Sequence, residues 1–340
     1  MDGRDERGAR SSSSFRTVQP LEYYLKFLEQ GVRPDGRALL RPRKATATGG
    51  VVSSADGSCT IKLGQTVVIA GVHCEPAVPT QAEPSLGRII VSLEVSAVAS
   101  VAASSGARGS AERQNRELGP LLELLQRTAS DDLLDLEALC IVEGRAVWSC
   151  HCDLYVLEHD GNLTDAALLA MTRALRDVRL PRVEFATGAA DAARVPAPAP
   201  DGEDGGGAAG GGSAEGLVVR EERAVPLALT RPVFPLSFGL LSDHLLLVRR
   251  VLAHLTPLLP HPTQPSDGRD LSCVRVAAQD PCAEEEALAS CGFTVLLDAA
   301  GQFCALHKPG GAPLSPELIE KSIAAAQQHM PAYVALFNSD

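Results

Sequence analysis

Arg33-Pro34-Asp35-Gly36-Arg37 opens the stretch whose reading decides the fold. Gly49-Gly50-Val51-Val52-Ser53-Ser54-Ala55-Asp56-Gly57-Ser58-Cys59-Thr60-Ile61-Lys62-Leu63-Gly64-Gln65-Thr66-Val67-Val68-Ile69-Ala70-Gly71-Val72 carries it on. Asp56-Gly57 reads as a tight turn, because glycine accepts positive φ at no steric cost. β-rich runs flank it, Val51-Val52 before and Thr60 to Leu63 after. Leu63-Gly64-Gln65-Thr66 then turns the chain into Val67 to Ala70. The expectation is a half-buried, three-stranded antiparallel meander.

Outward from that stretch, composition narrows the classes. The 340 residues are 45% hydrophobic and only 4% aromatic, so Ala, Val and Leu must fill a sizeable core. The net charge is −11, whereas a free-standing nucleic-acid binder carries a basic surface. Nine cysteines include no C-x-x-C pair. Cys150 and Cys152 flank His151 on an expected strand, which puts the thiols on one face and the imidazole on the other. That spacing is not that of a structural zinc site, and the cysteines read as reduced, buried thiols. No metal and no cofactor is expected. Met1 to Ser14 is polar, without the apolar core of a signal peptide, and reads as a disordered tail. No apolar run is long enough to cross a bilayer, so no membrane partner is expected.

Along the chain, Pro20 to Leu28 reads as a helix and Arg88 to Val98 as a strand. Glu112 to Thr128 is helical in composition, with Gly119-Pro120 as a kink or a new start. Leu139 to Val142 and Arg145 to Leu157 form a hairpin through Glu143-Gly144, and Leu163 to Arg176 a buried helix. In 187–216, eighteen of thirty residues are Gly or Ala and three are Pro, which marks a flexible, disordered insertion. Strand-like runs resume at 227–229, 233–238, 245–248, 274–278 and 292–297. A segment with four prolines, 249–273, interrupts them and reads as a surface loop or as retained intron sequence. Phe303 to His307 is a strand. Ser315-Pro316-Glu317 starts a last helix that should stop before Pro331. The organisation is therefore a tail (1–14) and one domain (15–340), in two halves (15–186 and 217–340) around the 187–216 insertion.

Arg-Pro-Asp-Gly-Arg, Ala-Asp-Gly-Ser and Lys-Leu-Gly-x-Thr-x-Val-x-x-Gly-Val, in that order and spacing, resemble the RNase PH family. Thr17 to Leu28 and Leu306-His307-Lys308-Pro309-Gly310-Gly311 resemble its subunits in the RNA exosome core. The resemblance implies an α/β chain of the α+β two-layer type, an RNase PH-like fold with an internal pseudo-repeat. It also implies a place in a six-membered ring of RNase PH-like subunits, capped by RNA-binding proteins and threaded by RNA. Nucleus, nucleolus and cytoplasm are the compartments that go with it.

The resemblance also says where chemistry should be. Active members carry a Gly-Thr-Arg step after the hairpin, and arginine suits phosphate because its fork matches the oxygens. Here the run is Asp160-Gly161-Asn162-Leu163-Thr164-Asp165, with Thr164 at the arginine. Active members also carry two aspartates six residues apart. Glu286 stands at the first position and Gly292 at the second. The expectation is a chain without phosphorolytic activity. Glu284 to Glu286 reads as a solvated acidic turn. Arg33 and Arg37 read as structural. Arg41-Pro42-Arg43-Lys44 is a small basic cluster, so Arg41, Arg43 and Lys44 are candidate RNA contacts, a solvated surface run being the other reading. Two rival functions remain: an active phosphate-dependent 3'-to-5' exoribonuclease, opposed by Thr164 and Gly292, and an independent RNA-binding protein, opposed by the charge and the scarce aromatics.

Overall fold

The meander forms, with its first strand earlier than Val51-Val52. In the computed structural model β1 is Ala45–Gly49, β2 Gly57–Leu63 and β3 Thr66–Ala77, all antiparallel. The structure describes residues 18–28, 32–96, 110–185, 217–241 and 276–338. The tail, the expected strand at 245–248 and the 187–216 and 249–273 segments lie outside them.

Gly57 corrects the turn argument. It lies inside β2, and a Cβ there would come within 2.5 Å of the Ala174 carbonyl and 2.7 Å of the Val178 amide. Its missing side chain lets a helix lie on the strand; the positive φ belongs to Gly50 and Gly64.

Helix α1 is Pro20–Leu28, and strand β4 is Arg88–Val95. Helix α2, Ser110–Thr128, runs through Pro120 without a break and continues into a π-helical turn, Ala129–Leu133. Strands β5, Cys140–Val142, and β6, Ala146–Glu158, make the expected hairpin. The first sheet has the order β1-β2-β3-β6-β4, with β4 parallel to β6. Helix α3, Leu163–Asp177, packs its buried face on β2 and β3.

Strands β7, Arg179–Phe185, and β8, Leu217–Pro226, form a two-stranded ribbon that the strand reading did not contain. The second sheet has the order β10-β9-β11-β12, from β9 Val233–Leu241, β10 Val276–Gln279, β11 Ala289–Asp298 and β12 Phe303–His307. A six-residue helix, α4 Ala283–Leu288, precedes β11. The last helix, α5 Pro316–Asn338, starts at Ser315 as read but passes through Pro331.

Each half is thus a sheet with a helix laid on it, the two-layer unit repeated. α3 also reaches β9, and α5 reaches both β1 and its own sheet, so the helices lie between the sheets. One apolar cluster runs through both halves, from Ile61, Val68 and Leu154 through Leu168 and Met171 to Phe234, Phe293 and Ala326. Such a shared core makes the halves one folding unit. Among the described residues no helix is long and apolar enough to cross a membrane.

Candidate functional site

Three segments far apart in sequence meet where α3 begins. They are the Arg33–Arg43 loop before β1, the Asp160-Gly161-Asn162 turn after β6, and Gln279 to Glu286 between β10 and α4. Backbone geometry allows the meeting. Gly161 has φ +78°, and a Cβ there would strike Ala283 N and the Cys282 carbonyl carbon at 2.5 Å. Only glycine lets the two turns touch at that point. Asn162 and Asp280 both have positive φ, 54° and 52°. Asn and Asp tolerate this region better than other side-chain-bearing residues.

Asp280 is the centre. It is fully buried, and its carboxylate accepts from Arg43 N (2.6 Å), Arg43 Nε (2.9 Å), Arg43 Nη2 (2.8 Å), Asn162 Nδ2 (2.7 Å) and Arg37 Nη1 (3.3 Å). Burial works against its charge, but the bonds and charge of Arg43 outweigh that and hold the carboxyl below the usual aspartate range. Arg43 also donates to the Asp160 carbonyl (2.7 Å) and the Gly161 carbonyl (3.2 Å). Arg33, fully buried, donates from Nε to Glu285 Oε1 (2.8 Å) and from Nη1 to the Gln279 carbonyl (2.7 Å); Nη2 closes the second arm on Glu285. Arg33 and Arg37 thus take the structural roles read for them.

Two further carboxylates stand beside Asp280. Asp165 accepts from Ser237 Oγ (2.6 Å), Ser237 N (3.1 Å) and Asn162 Nδ2 (2.8 Å). Burial pushes it up to about 6, against the pull of these bonds, with Asp280 adding to the rise. Glu286 accepts the Asn162 amide at 2.7 Å. Crowding of its carboxyl end, with Asp280 and Asp165 nearby, pushes it up to about 7. The residue as a whole is exposed, and water on its open side limits that rise.

The acidic triplet is therefore a helical turn rather than the solvated turn expected, with Glu284 and Glu286 exposed and Glu285 buried. Glu284 accepts from Tyr24 Oη (2.5 Å), Glu285 is buried on Arg33, and Glu286 caps the Asn162 amide. Burial and the Glu284 bond drive the Tyr24 hydroxyl well above its ordinary range, so it stays a donor.

Of the remaining positions, Thr164 is the second residue of α3 and half-buried. Gly292 is exposed on β11, with no atom within 4 Å of where its Cβ would be. Arg41 and Lys44 are exposed, whereas Arg43, 9% exposed, is spent on Asp280 and the turn carbonyls and is not part of a solvated run. Among the described residues no three His, Cys, Asp or Glu side chains have metal-holding geometry.

The residue reading missed Asp280, Asn162, Asp165, Ser237 and Glu285. One local signal was present: Asn162 caps α3, its Oδ1 accepting Asp165 N at 3.4 Å, the Asn-x-x-Asp variant of a capping sequence. Ser237 had none, because the contact depends on β9 lying beside α3.

Chemically, the cluster holds two buried carboxylates, Asp280 and Glu285, neutralised by the chain's own arginines, and a third, Asp165, held by Ser237 and Asn162. A phosphate would meet Asp160, Glu284 and Glu286 at its mouth, and Thr164 offers no positive charge.

Residues 41–181 match the first domain of the 3' exoribonuclease family, and residues 279–329 match its second domain. The exosome complex component Rrp42 of Methanothermobacter thermautotrophicus is 27% identical over 302 residues, 89% of this chain and 88% of that protein. The exosome complex component rrp43 of Schizosaccharomyces pombe is 25% identical over 315 residues, 93% and 94% of the two chains. A chain of the Archaeoglobus fulgidus exosome with RNA bound to the active site superposes with a TM-score of 0.63 at 23% identity, covering 94% of this chain and 97% of its own. A chain of an archaeal exosome core gives 0.60 at 22% identity, over 94% and 96%. At these identities the superpositions establish the fold. With the two domains of one family matched in order, one on each half that the Asp280 cluster joins, the chain belongs to the RNase PH-like 3' exoribonuclease family.

Proposed function

We propose that this chain is a non-catalytic structural subunit of an exosome core. It would be one of six RNase PH-like subunits in a ring that RNA threads and RNA-binding proteins cap, supporting 3'-to-5' RNA processing and degradation in the nucleus, the nucleolus and the cytoplasm. The observation that carries the loss of catalysis is the fate of positive charge. Thr164 stands where active relatives place arginine, and the nearby guanidinium groups of Arg33, Arg37 and Arg43 are bound to Glu285, to Asp35 and Asp280, and to Asp280 respectively. Phosphoryl chemistry needs such a group free to hold the attacking phosphate. Gly292 leaves the second aspartate position empty.

Ring membership draws on the names of the similar proteins, exosome components Rrp42 and rrp43. It also fits the uncovered face of the first sheet. Ile90 on β4 and Tyr155 and Leu157 on β6 point away from α3 and are 44%, 43% and 37% exposed. Neighbouring subunits would bury such side chains. Arg41 and Lys44 remain as exposed RNA-contact candidates.

Two measurements test the reading. The purified chain, with phosphate, magnesium and poly(A), should release no nucleoside diphosphates. Gly292→Asp, which the open space accommodates, should not restore release, because phosphate holding is still absent. Size-exclusion chromatography with light scattering should show a stoichiometric particle on co-expression with RNase PH-like paralogues. Phosphate-dependent diphosphate release by the unmodified chain overturns the first half of the proposal. A monodisperse monomer that ignores every paralogue overturns the second.

A further inference from the structure

β3 and β6 set Cys74 directly opposite Cys150 in their antiparallel register. The two thiols touch inside the core, Sγ to Sγ 3.3 Å, on the face that α3 covers. Directly opposed residues of an antiparallel pair have Cα atoms about 4.5–5.5 Å apart. A disulfide spans Cα separations of about 4.4–6.8 Å. The backbone is thus already in place for a cross-link, and side-chain torsion closes the remaining gap. Cys152, two residues on, lies opposite Val72. Its offset from Cys74 is the diagonal one, about 7–8 Å, which is out of bonding range.

We propose that Cys74 and Cys150 are a modification site, a cross-strand thiol pair that a hydroperoxide converts into an intramolecular disulfide. Cys74, the more exposed of the two at 5%, reacts first. Its sulfur attacks the O–O bond and takes up one oxygen as a sulfenic acid, while the other leaves as an alcohol, or as water when the oxidant is hydrogen peroxide. The Cys150 sulfur then displaces that hydroxyl. The S–S bond forms, and the hydroxyl departs as water with the Cys150 proton. The sulfurs together lose two electrons and the peroxide oxygens gain them. The hydrogen bond to Cys150, with burial, holds the Cys74 thiol well above the usual thiol range, so oxidation is slow near neutrality and quickens as pH rises.

The test uses the full-length chain and does not depend on ring membership. The native protein is treated with hydrogen peroxide, quenched, unfolded and alkylated with N-ethylmaleimide, then weighed intact and mapped by tryptic mass spectrometry. The expected product carries two fewer labels than the nine cysteines of the reduced chain, with one cross-link joining Cys74 to Cys150. Dithiothreitol should restore full labelling. Cys152→Ser should keep the cross-link, and Cys150→Ser should abolish it. If Cys150→Ser fails to fold, the peptide map of the unmodified chain decides. Cys74 recovered alkylated, or as sulfinic or sulfonic acid without a cross-link, overturns the proposal, as does a cross-link through Cys152.

Discussion

Replacing Asp280 by Asn keeps the shape of the side chain but removes one charge from the centre of the cluster and turns one of its two acceptor oxygens into an amide donor facing other donors. Asn is nearly isosteric and accepts positive φ, so the turn at φ 52° keeps its backbone. What goes is the negative charge that five donors share, three of them on Arg43. Removing one partner of a buried ion pair costs about 3–5 kcal/mol, because the other charge is left in a poor solvent. Arg43 keeps the Asp160 and Gly161 carbonyls and is 9% exposed, which points to the lower end of that range. A loss of about 3 kcal/mol corresponds to a drop in Tm of about 6–12 °C for a domain of this size. Trp148, the one tryptophan, is buried on β6 and reports unfolding by fluorescence. The assay is urea unfolding of both proteins, compared by midpoint and slope. A loss below about 1 kcal/mol at unchanged slope would refute the view that this ion pair joins the halves.

Arg43→Ala should destabilise by a comparable few kcal/mol, whereas Arg41→Ala and Lys44→Ala, both at exposed positions, should stay within about 0.5 kcal/mol in the same urea titration. Burial pushes the Asp165 carboxyl up to about 6, above its ordinary 3.8, so the folded state binds more protons across that interval. Stability should therefore rise as pH falls from 7 towards 5, and Asp165→Asn should flatten the trend in a Tm-against-pH series; a Tm that falls over this range counts against it. Deleting 187–216 with a short Gly/Ser bridge should leave Tm almost unchanged, because Phe185 and Leu217 are direct register partners at one end of the β7–β8 ribbon and a short turn can join them; a large drop in scanning calorimetry would show that the segment packs on the fold.

Much of the fold was legible because it is local. Alternation over Thr60 to Ala70 and the turn at Gly64 specify the meander, and Asn162 with the Ala- and Leu-rich run specifies α3. The prolines misled for a common reason. Pro120 and Pro331 each forfeit one backbone bond, but both helices bury residues immediately beyond the proline, Leu121 and Leu124 in one and Tyr333 in the other. Burial outweighs that local cost. The ribbon escaped because Arg179 to Phe185 carries a proline and alternates poorly, and only its pairing with β8 makes it a strand. The site was half legible. Thr164, Glu286 and Gly292 follow from resemblance, but Asp280 takes its meaning from Arg43, and nothing in spacing tells that residues 237 positions apart will meet.

The positions that depart from the family's motifs differ physically from those that form the Asp280 network. Gly292 is exposed and its missing side chain faces open space. Thr164 is half-buried at the start of α3 and lies outside the Asp280 network. Side chains at such positions can serve a substrate while contributing little to folding, so a chain released from catalysis can change them at almost no cost in stability. Arg33, Arg43, Asn162, Asp280 and Glu285 are different in kind. Each is buried or nearly so and holds a partner from another segment, and losing any one strands a charge or a polar group in the core. Such a network can be replaced wholesale but not piecemeal. On the proposed non-catalytic reading, the positions that depart are those that cost the fold least, and the buried Asp280 network, which joins the two halves of the chain, is held in place by its own energetics.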